Sequence, residues 1–112
     1  MDLTQKHCVP CEGGTPPFAL DQINHYLPQI DASWTVVNQG KLVRDFKFKD
    51  FVESMKFTNQ VADVAEAEGH HPNLHIYYSK VTLELWTHAV AGLSENDFIL
   101  AAKIDSLYLH QQ

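Results

Sequence analysis

Two kinds of hydrophobic spacing alternate along the chain, one typical of helices and one typical of strands. Between residues 19 and 30, apolar side chains recur every three or four positions, which predicts a first helix that Pro28 shortens. The stretch WTVVNQGKLVRDFKF then favours a hairpin, because two apolar runs flank the turn-forming residues 38–40. In its second strand, residues 41–48, apolar and polar side chains alternate, so we expect one buried face.

The clearest helical pattern begins after Asp50, which is suited to cap the helix together with Glu53. Gly69 is suited to the left-handed position just past the end of that helix. Two more strands are predicted at residues 74–78 and 80–88, joined as a hairpin. In the last of them the core-facing residues alternate with a set that ends in His88.

Ser94 predicts the start of the last helix, with Asp97 as its capping partner. Apolar side chains surround most of this helix, so it needs cover on several sides, and we expect a second subunit to supply part of it. The order helix, strand, strand, helix, strand, strand, helix predicts an α+β fold. We expect a four-stranded antiparallel sheet with the three helices packed on one face.

The bulk properties indicate one ordinary domain. The chain has 112 residues, of which 45% are hydrophobic and 20% charged. We expect a flexible leader over residues 1–17 and a single domain over residues 18–112. The formal charge of -6 argues against direct nucleic-acid binding. There is no apolar stretch of about 20 residues and no signal-like start, so we expect a cytoplasmic protein without a membrane partner.

The only cysteines, Cys8 and Cys11, lie three positions apart in the leader, next to His7. Such a pair can form half of a zinc site or a redox motif, and His7 offers a third ligand. The glycines and prolines that follow do not favour the helix that a thioredoxin-like site needs. We expect reduced thiols on a mobile tail, with metal or redox use as the alternative.

Histidines form the strongest candidate site, because His70 and His71 follow a helix end and His88 ends a strand. Helix capping alone can explain the histidine pair, and it can also explain Asp97. Zinc accepts three imidazoles, and His75 is a further candidate, but neighbouring residues rarely face one ion, so we expect no metal. Imidazole has an unperturbed pKa of about 6.5, so several such rings around one substrate suit proton transfer in a dehydratase.

One long spaced pattern is specific. It runs Glu66, three residues, His70, His71, Pro72, five residues, Tyr78, nine residues, His88, eight residues, Asp97. This pattern resembles the signature of the pterin-4a-carbinolamine dehydratases, also known as the dimerization cofactor of a homeodomain transcription factor. The likeness extends over roughly residues 19 to 108.

The resemblance implies an enzyme that removes water from 4a-hydroxytetrahydropterin to give quinonoid dihydropterin. In this reaction the pterin is the substrate and no further cofactor is needed. The resemblance also implies a homodimer or homotetramer that recycles the pterin cofactor of an aromatic amino-acid hydroxylase. The alternative is a protein-protein binding module that acts as a transcriptional or hydroxylase-regulating cofactor.

Carried over residue by residue, the resemblance places the catalytic histidines at His70, His71 and His88. His71 and His88 would exchange protons with the 4a-hydroxyl and N5, in either assignment of acid and base, and His70 would orient the pterin. The side chains that would bind or orient the site are Glu66, Asp97 and Trp34.

Each of these supporting residues has a specific expected role. Glu66 would support His70 from one helical turn away, and Asp97 would fix His88 or the pterin ring. Trp34 would wall the pocket, although an ordinary core tryptophan is an equal alternative. Gly69 stands where some family members carry an acidic residue, so an orienting carboxylate would have to come from Glu66 or Glu68.

Overall fold

The structure is a computed structural model that describes residues 2–10 and 13–110. Its helices and strands are α1 (Leu20–Tyr26), β1 (Thr35–Val37), β2 (Lys41–Lys47), α2 (Phe51–Glu68), β3 (Asn73–Tyr77), β4 (Lys80–Leu85) and α3 (Glu95–Leu109). The strands form one antiparallel sheet in the order β1-β2-β4-β3. The predicted α+β fold and the order of its elements are therefore confirmed.

Alternation along β2 and β4 decides which side of the sheet is buried. Val81, Leu83 and Leu85 of β4 have no exposed surface, whereas the residues between them are partly exposed. Phe46 of β2 extends this buried face and packs against Phe57 of α2, with 4.8 Å between the ring centroids. Burial of each such side chain stabilises the fold by about 1.5–3 kcal/mol. The helices lie on this face.

Both ends of α2 follow the predicted chemistry. The side chain of Asp50 accepts a hydrogen bond from the backbone N–H of Glu53 at 2.9 Å. At the other end Gly69 adopts a left-handed conformation with φ of +65°, which costs glycine nothing because it has no side chain. The backbone N–H of His70 donates to the carbonyl of Ala65 at 3.2 Å. The histidine pair is thus held against the last turn of α2.

The end of the first helix follows the expected effect of Pro28, whereas the end of the last strand differs from the prediction. The first helix ends at Tyr26 and continues as a single 3-10 turn, Leu27–Gln29, because Pro28 lacks a backbone N–H. The last strand ends at Leu85, which pairs with Leu42, so only Lys41 of β2 remains beyond this last pair. His88 consequently opens a 3-10 turn, His88–Val90, and does not end a strand.

Residues 3–10, which we call the strap, lie in the segment expected to be a flexible leader, and they pack against α3. The flexibility of this segment stays a prediction. Leu3 is only 2% exposed, and the 3-10 turn Leu3–Gln5 packs against α3. The Lys103 ammonium of α3 donates a hydrogen bond to the carbonyl of Thr4 at 3.0 Å. Apart from Pro10, the glycines and prolines that made this segment resemble a linker come after the strap, at residues 13–17.

The strap also covers part of the apolar surface of α3. Most apolar side chains of this helix are buried within the single chain: Phe98, Ile99, Leu100, Ala101, Ala102 and Ile104. Their cover comes from the sheet, α2 and the strap, so the apolar girth of α3 does not require a second subunit. The prediction of a dimer or tetramer then depends on the family resemblance alone.

Candidate active site

One open cavity of about 550 Å³ lies between the end of α2 and the loop that follows β4. His70, His71 and His88 all line it, so the chain brings together the three histidines selected from the sequence. The strap forms another part of the wall through Cys8, Val9 and Pro10. Further lining residues are Glu68, Gly69, Pro72, Asn73, Trp86, Thr87, Ala89 and Asn96.

A fully buried carboxylate anchors His70. One oxygen of Asp97 lies 2.6 Å from Nε2 of His70. The other oxygen accepts hydrogen bonds from the Thr87 hydroxyl at 2.9 Å and from the Ser94 backbone N–H at 3.0 Å. Because a carboxylate only accepts, Nε2 of His70 carries a proton, and in the neutral ring Nδ1 is the acceptor. Asp97 thus contacts His70 and not His88, and its expected capping of α3 is present through the Ser94 backbone N–H. Contact of Asp97 with the pterin ring, the other expected role, stays a prediction.

Glu66 contacts His71, not His70 as expected. Its carboxylate lies 3.2 Å from Nε2 of His71, and both side chains are largely exposed, at 82% and 60%. An exposed pair of this kind contributes little to stability. The carboxylate that contacts His70 is that of Asp97, at 2.6 Å from Nε2.

His88 is positioned by a tight loop after β4. Its ring centroid lies 4.6 Å from that of Trp86, and both side chains line the cavity. The backbone N–H of Thr87 donates to the carbonyl of Gly92 at 2.8 Å, which closes the loop. A Cβ atom at Gly92 would lie 2.7 Å from Cβ of Pro17, so the approach of Pro17 admits only glycine without a shift. His88 therefore depends on backbone packing for its position.

Trp34 lies elsewhere and does not line the histidine cavity. It is 4% exposed, and its indole N–H donates to a carboxylate oxygen of Asp105 at 2.7 Å. Arg44 donates to the same oxygen at 2.7 Å. Of the two alternatives left open by the sequence, the described residues place Trp34 in the core.

Of the other possible ligands, Cys8 lines the cavity and His75 does not. His75 lies on β3 with its Nε2 3.4 Å from Glu84, outside the cavity lining. Burial raises the pKa of the Cys8 thiol to about 12, and the charges of Glu68 and Asp97 add to this, so the thiol is protonated at neutral pH. Cys11 lies outside the described residues.

The described residues contain neither a cluster of metal ligands nor a membrane-spanning helix. Within residues 2–10 and 13–110, no group of three or more His, Cys, Asp or Glu side chains is placed to hold a metal ion. None of the helices in that part of the chain is both long enough and apolar enough to span a bilayer.

Several residues that line the cavity were not predicted to belong to this site, above all the strap, Thr87 and Asn96. Thr87 directly precedes His88, and strands often end in residues that serve a site, so its position was a usable signal. The strap gave no such signal, because its route over the domain depends on contacts with residues 60 to 100 positions away.

Comparison with known proteins places the chain in a family. The family model described as pterin 4 alpha carbinolamine dehydratase matches residues 16–107. A relative from Alkaliphilus metalliredigens, provisionally named pterin-4-alpha-carbinolamine dehydratase, is 46% identical over 93% of this chain and 94% of its own. A relative from Rickettsia canadensis with the same provisional name is 47% identical over 93% and 95%.

A solved structure extends the likeness to three dimensions. The crystal structure of a transcriptional coactivator/pterin dehydratase from Brucella melitensis superimposes with a TM-score of 0.77 at 32% identity. The match covers 82% of this chain and 98% of that chain. Because the family model spans most of the sequence, this chain belongs to the pterin 4 alpha carbinolamine dehydratase family.

Proposed function

We propose that this protein dehydrates 4a-hydroxytetrahydropterin to quinonoid dihydropterin by histidine general acid-base catalysis. The bond between C4a and the hydroxyl oxygen breaks, and the oxygen leaves as water after it takes up a proton. N5 loses its proton, and the electrons of that bond form the double bond between N5 and C4a. One group must therefore donate a proton and another must accept one.

The observation that carries the proposal is the convergence of His70, His71 and His88 on one cavity in a chain of this family. Imidazole is suited to both transfers, because its acid and base forms coexist near neutral pH. His71 and His88 have exposed rings at this cavity, so either can reach a bound ligand. We assign the two proton transfers to this pair, without fixing which ring is the acid.

His70 has a different environment, which supports an orienting role. It is 11% exposed at the side chain and is anchored to the buried Asp97. The carboxylate fixes one ring nitrogen as a donor, so the acceptor nitrogen Nδ1 is left for a ligand group such as a pterin N–H. A ring with this fixed polarity can orient the bicyclic substrate between the two freer histidines.

The test is dehydration of the 4a-carbinolamine by single histidine variants. We expect His71→Ala or His88→Ala to lower turnover by roughly 100-fold or more, the usual effect of losing a general acid or base. His75→Ala is the matched control, because His75 is exposed on β3 outside the cavity, and its turnover should not change. Normal turnover in a folded His71→Ala/His88→Ala variant would overturn the proposal.

The proposed physiological role is recycling of the pterin cofactor of an aromatic amino-acid hydroxylase. Such a hydroxylase produces the 4a-hydroxy compound, and the dehydratase returns it to a form that a reductase can use. With pterin held limiting and the reductase in excess, the wild-type protein should raise the steady-state hydroxylation rate. The His88→Ala variant should not raise this rate if the effect depends on dehydration.

A second candidate function, protein-protein binding, has its own supporting observation. All residues of β3 are exposed, and this edge strand carries apolar side chains at Leu74, Ile76 and Tyr77. An exposed apolar edge strand is a common site of pairing with another chain. Ile76→Lys should abolish formation of a homodimer, a homotetramer or a partner complex through this edge. Sedimentation measures this, and unchanged assembly would exclude the edge.

A further inference from the structure

The strap does more than cover α3, because its last part forms a wall of the histidine cavity. Cys8, Val9 and Pro10 line the cavity together with the three histidines. Residues 3–10 lie before residues 16–107, which carry the match to the family model, so the shared family pattern does not assign this wall a role. The strap is held by hydrogen bonds to residues other than these three histidines, among them Glu68 and Asn96.

A two-sided clasp fixes the strap to the start of α3. The backbone N–H of Val9 donates to the side-chain oxygen of Asn96 at 3.0 Å, and the Asn96 side-chain N–H donates to the carbonyl of Val9 at 2.6 Å. Asn96 is itself 5% exposed, so its amide is held in place by its surroundings. The amide thus binds both polar groups of one strap residue, as a neighbouring β-strand would.

A second anchor lies one residue earlier. The backbone N–H of Cys8 donates to the carboxylate of Glu68 at 2.7 Å, and the His7 ring lies 3.0 Å from the same carboxylate. Burial alone would raise the pKa of Glu68, but these bonds and the nearby Lys103 charge outweigh it and lower the pKa. Glu68 is therefore ionised at neutral pH and holds the strap with a charged acceptor.

The clasp holds the Val9 side chain in a position that packing in the core does not explain. This apolar side chain is 64% exposed although the backbone on which it stands is doubly anchored. Burial in the core does not account for it, because the side chain contributes little to the core. At the edge of a cavity, an apolar side chain held in this way suits contact with the flat face of a ligand ring.

We propose that Asn96 is a positioning residue that clasps the strap at Val9 so that Val9 and Pro10 hold the pterin ring against the histidines. This inference rests on the proposed function, because it assigns the wall to the same substrate. The clasp pre-organises the wall, so its main effect is on substrate binding and not on the proton transfers. Loss of the clasp should raise KM and leave kcat close to the wild-type value.

Three variants test the clasp and the wall separately. Asn96→Ala removes both bonds of the clasp and should raise KM about tenfold, with kcat within about twofold. Asn96→Asp keeps an acceptor for the Val9 N–H but loses the donor to the Val9 carbonyl, so its KM should be intermediate. Val9→Ala keeps the clasp and trims the wall, and it should raise KM without loosening the strap. Lys56→Ala, on the exposed face of α2, is the control and should match wild type.

Hydrogen exchange supplies the readout that a merely structural role would not give. In Asn96→Ala the Val9 amide should exchange at least about tenfold faster, while amides in the middle of α2 keep their wild-type rates. In Val9→Ala that amide should stay protected. If Asn96→Ala unfolds the chain, Asn96→Asp and Val9→Ala still provide the comparison of KM.

The outcomes separate this inference from the proposed function. If wild type dehydrates the carbinolamine and His88→Ala loses kcat, but KM in Asn96→Ala and Val9→Ala stays within twofold of wild type, the clasp proposal is wrong and the function stands. The clasp proposal is also wrong if Asn96→Ala lowers kcat at constant KM. If wild type shows no dehydration, the proposed function fails first, and equilibrium binding of a dihydropterin to the same variants tests the wall by itself.

Discussion

Asp97 and Asp105 lie about two turns apart on α3, and each carboxylate collects three donors. Asp97 accepts from His70, Thr87 and Ser94. Asp105 accepts from Arg44, from the Trp34 indole and from the backbone of Asp31. The two sites are therefore built alike, each with one basic side chain, one neutral side-chain donor and one backbone N–H around the acid, although Asp97 is fully buried and Asp105 only partly.

They differ in the basic partner. Arg44 is charged at any pH that a protein tolerates, so its bond with Asp105 can only hold structure together. His70 carries an imidazole, the class of side chain suited to proton exchange near neutral pH, and it lines the cavity with His71 and His88. The same helix thus supports a structural site near its C-terminal end and a chemical site near its N-terminal end. What distinguishes them is whether the partner of the carboxylate can titrate.

The largest effect should come from breaking the structural pair. Arg44→Met leaves Asp105 half-buried without its cation while keeping most of the apolar packing against Phe46. Removal of one member of a buried pair typically costs 3–5 kcal/mol, and we expect a loss of about 3 kcal/mol in the free energy of unfolding. Urea unfolding measures this loss, and kcat of the folded fraction should be unchanged.

A double variant tests whether the unpaired carboxylate of Asp105 causes this loss of stability. In Arg44→Met/Asp105→Leu neither charge remains, so a large part of the lost stability should return. If the double variant is less stable than Arg44→Met alone, the carboxylate stabilises the fold through Trp34 and not through the arginine. If Arg44→Met also loses turnover, the two sites are coupled and the separation of roles is wrong.

The next effect should come from Asp97→Asn. The amide can donate to Nε2 of His70, which would convert that nitrogen from a donor to an acceptor and put the proton on Nδ1. With the ring polarity reversed at the cavity, we expect kcat/KM to fall by roughly 10- to 100-fold and the pH-rate profile to change shape. Asp105→Asn is the same substitution at the other carboxylate and should leave turnover unchanged. Equal losses in both variants would point to general destabilisation.

Much of the fold could be predicted because it depends on local patterns. Asp50 and Gly69 bound α2 by chemistry that acts within one turn, and the alternation along β4 is decided by neighbours two residues apart. The ends of strands were harder to place. β4 stops at Leu85, where only Lys41 of β2 remains beyond the last pair, and a single strand does not encode where its partner begins.

The site was predicted as a set of residues and not as a set of contacts. The spacing pattern identified His70, His71 and His88, and all three line one cavity. The contacts of the carboxylates differ from those expected, since Asp97 holds His70 and Glu66 lies beside His71. Helical separation suggested Glu66 for His70, and the family resemblance suggested Asp97 for His88 or the pterin ring, whereas the buried carboxylate of Asp97 contacts His70. Sequence spacing does not report which carboxylate is carried into the interior.

A smaller effect should follow from Gly92→Ala, which perturbs the loop between β4 and α3. The added Cβ would lie 2.7 Å from Cβ of Pro17, so the loop that carries Thr87 and His88 must shift. We expect a loss of about 1 kcal/mol in stability and a several-fold loss of kcat. Gly40→Ala is the control, because its Cβ would meet its nearest neighbour at an ordinary 3.6 Å. Wild-type kcat in Gly92→Ala would mean that His88 does not depend on this packing.

The smallest effect should appear in the pH dependence of stability at Asp105. Burial raises the pKa of Asp105 above its usual 3.8, although hydrogen bonds from Asp31 and Trp34 and the charge of Arg44 oppose the shift. The folded protein then binds this proton more tightly than the unfolded chain does. The contribution of Asp105 to stability is therefore fully present below the unfolded pKa and is lost as the pH rises through the folded pKa.

Asp105→Asn removes this proton and so isolates its effect. The difference in unfolding free energy between wild type and Asp105→Asn should shift against wild type as the pH rises from below 3.8, and should level off once Asp105 is ionised in the folded state. Urea unfolding of both proteins across this acidic range gives the slope. A slope of opposite sign would mean that Arg44 and the hydrogen bonds outweigh burial. Asp105 would then stabilise the fold as an anion, and the two carboxylates of α3 would be less different than their partners suggest.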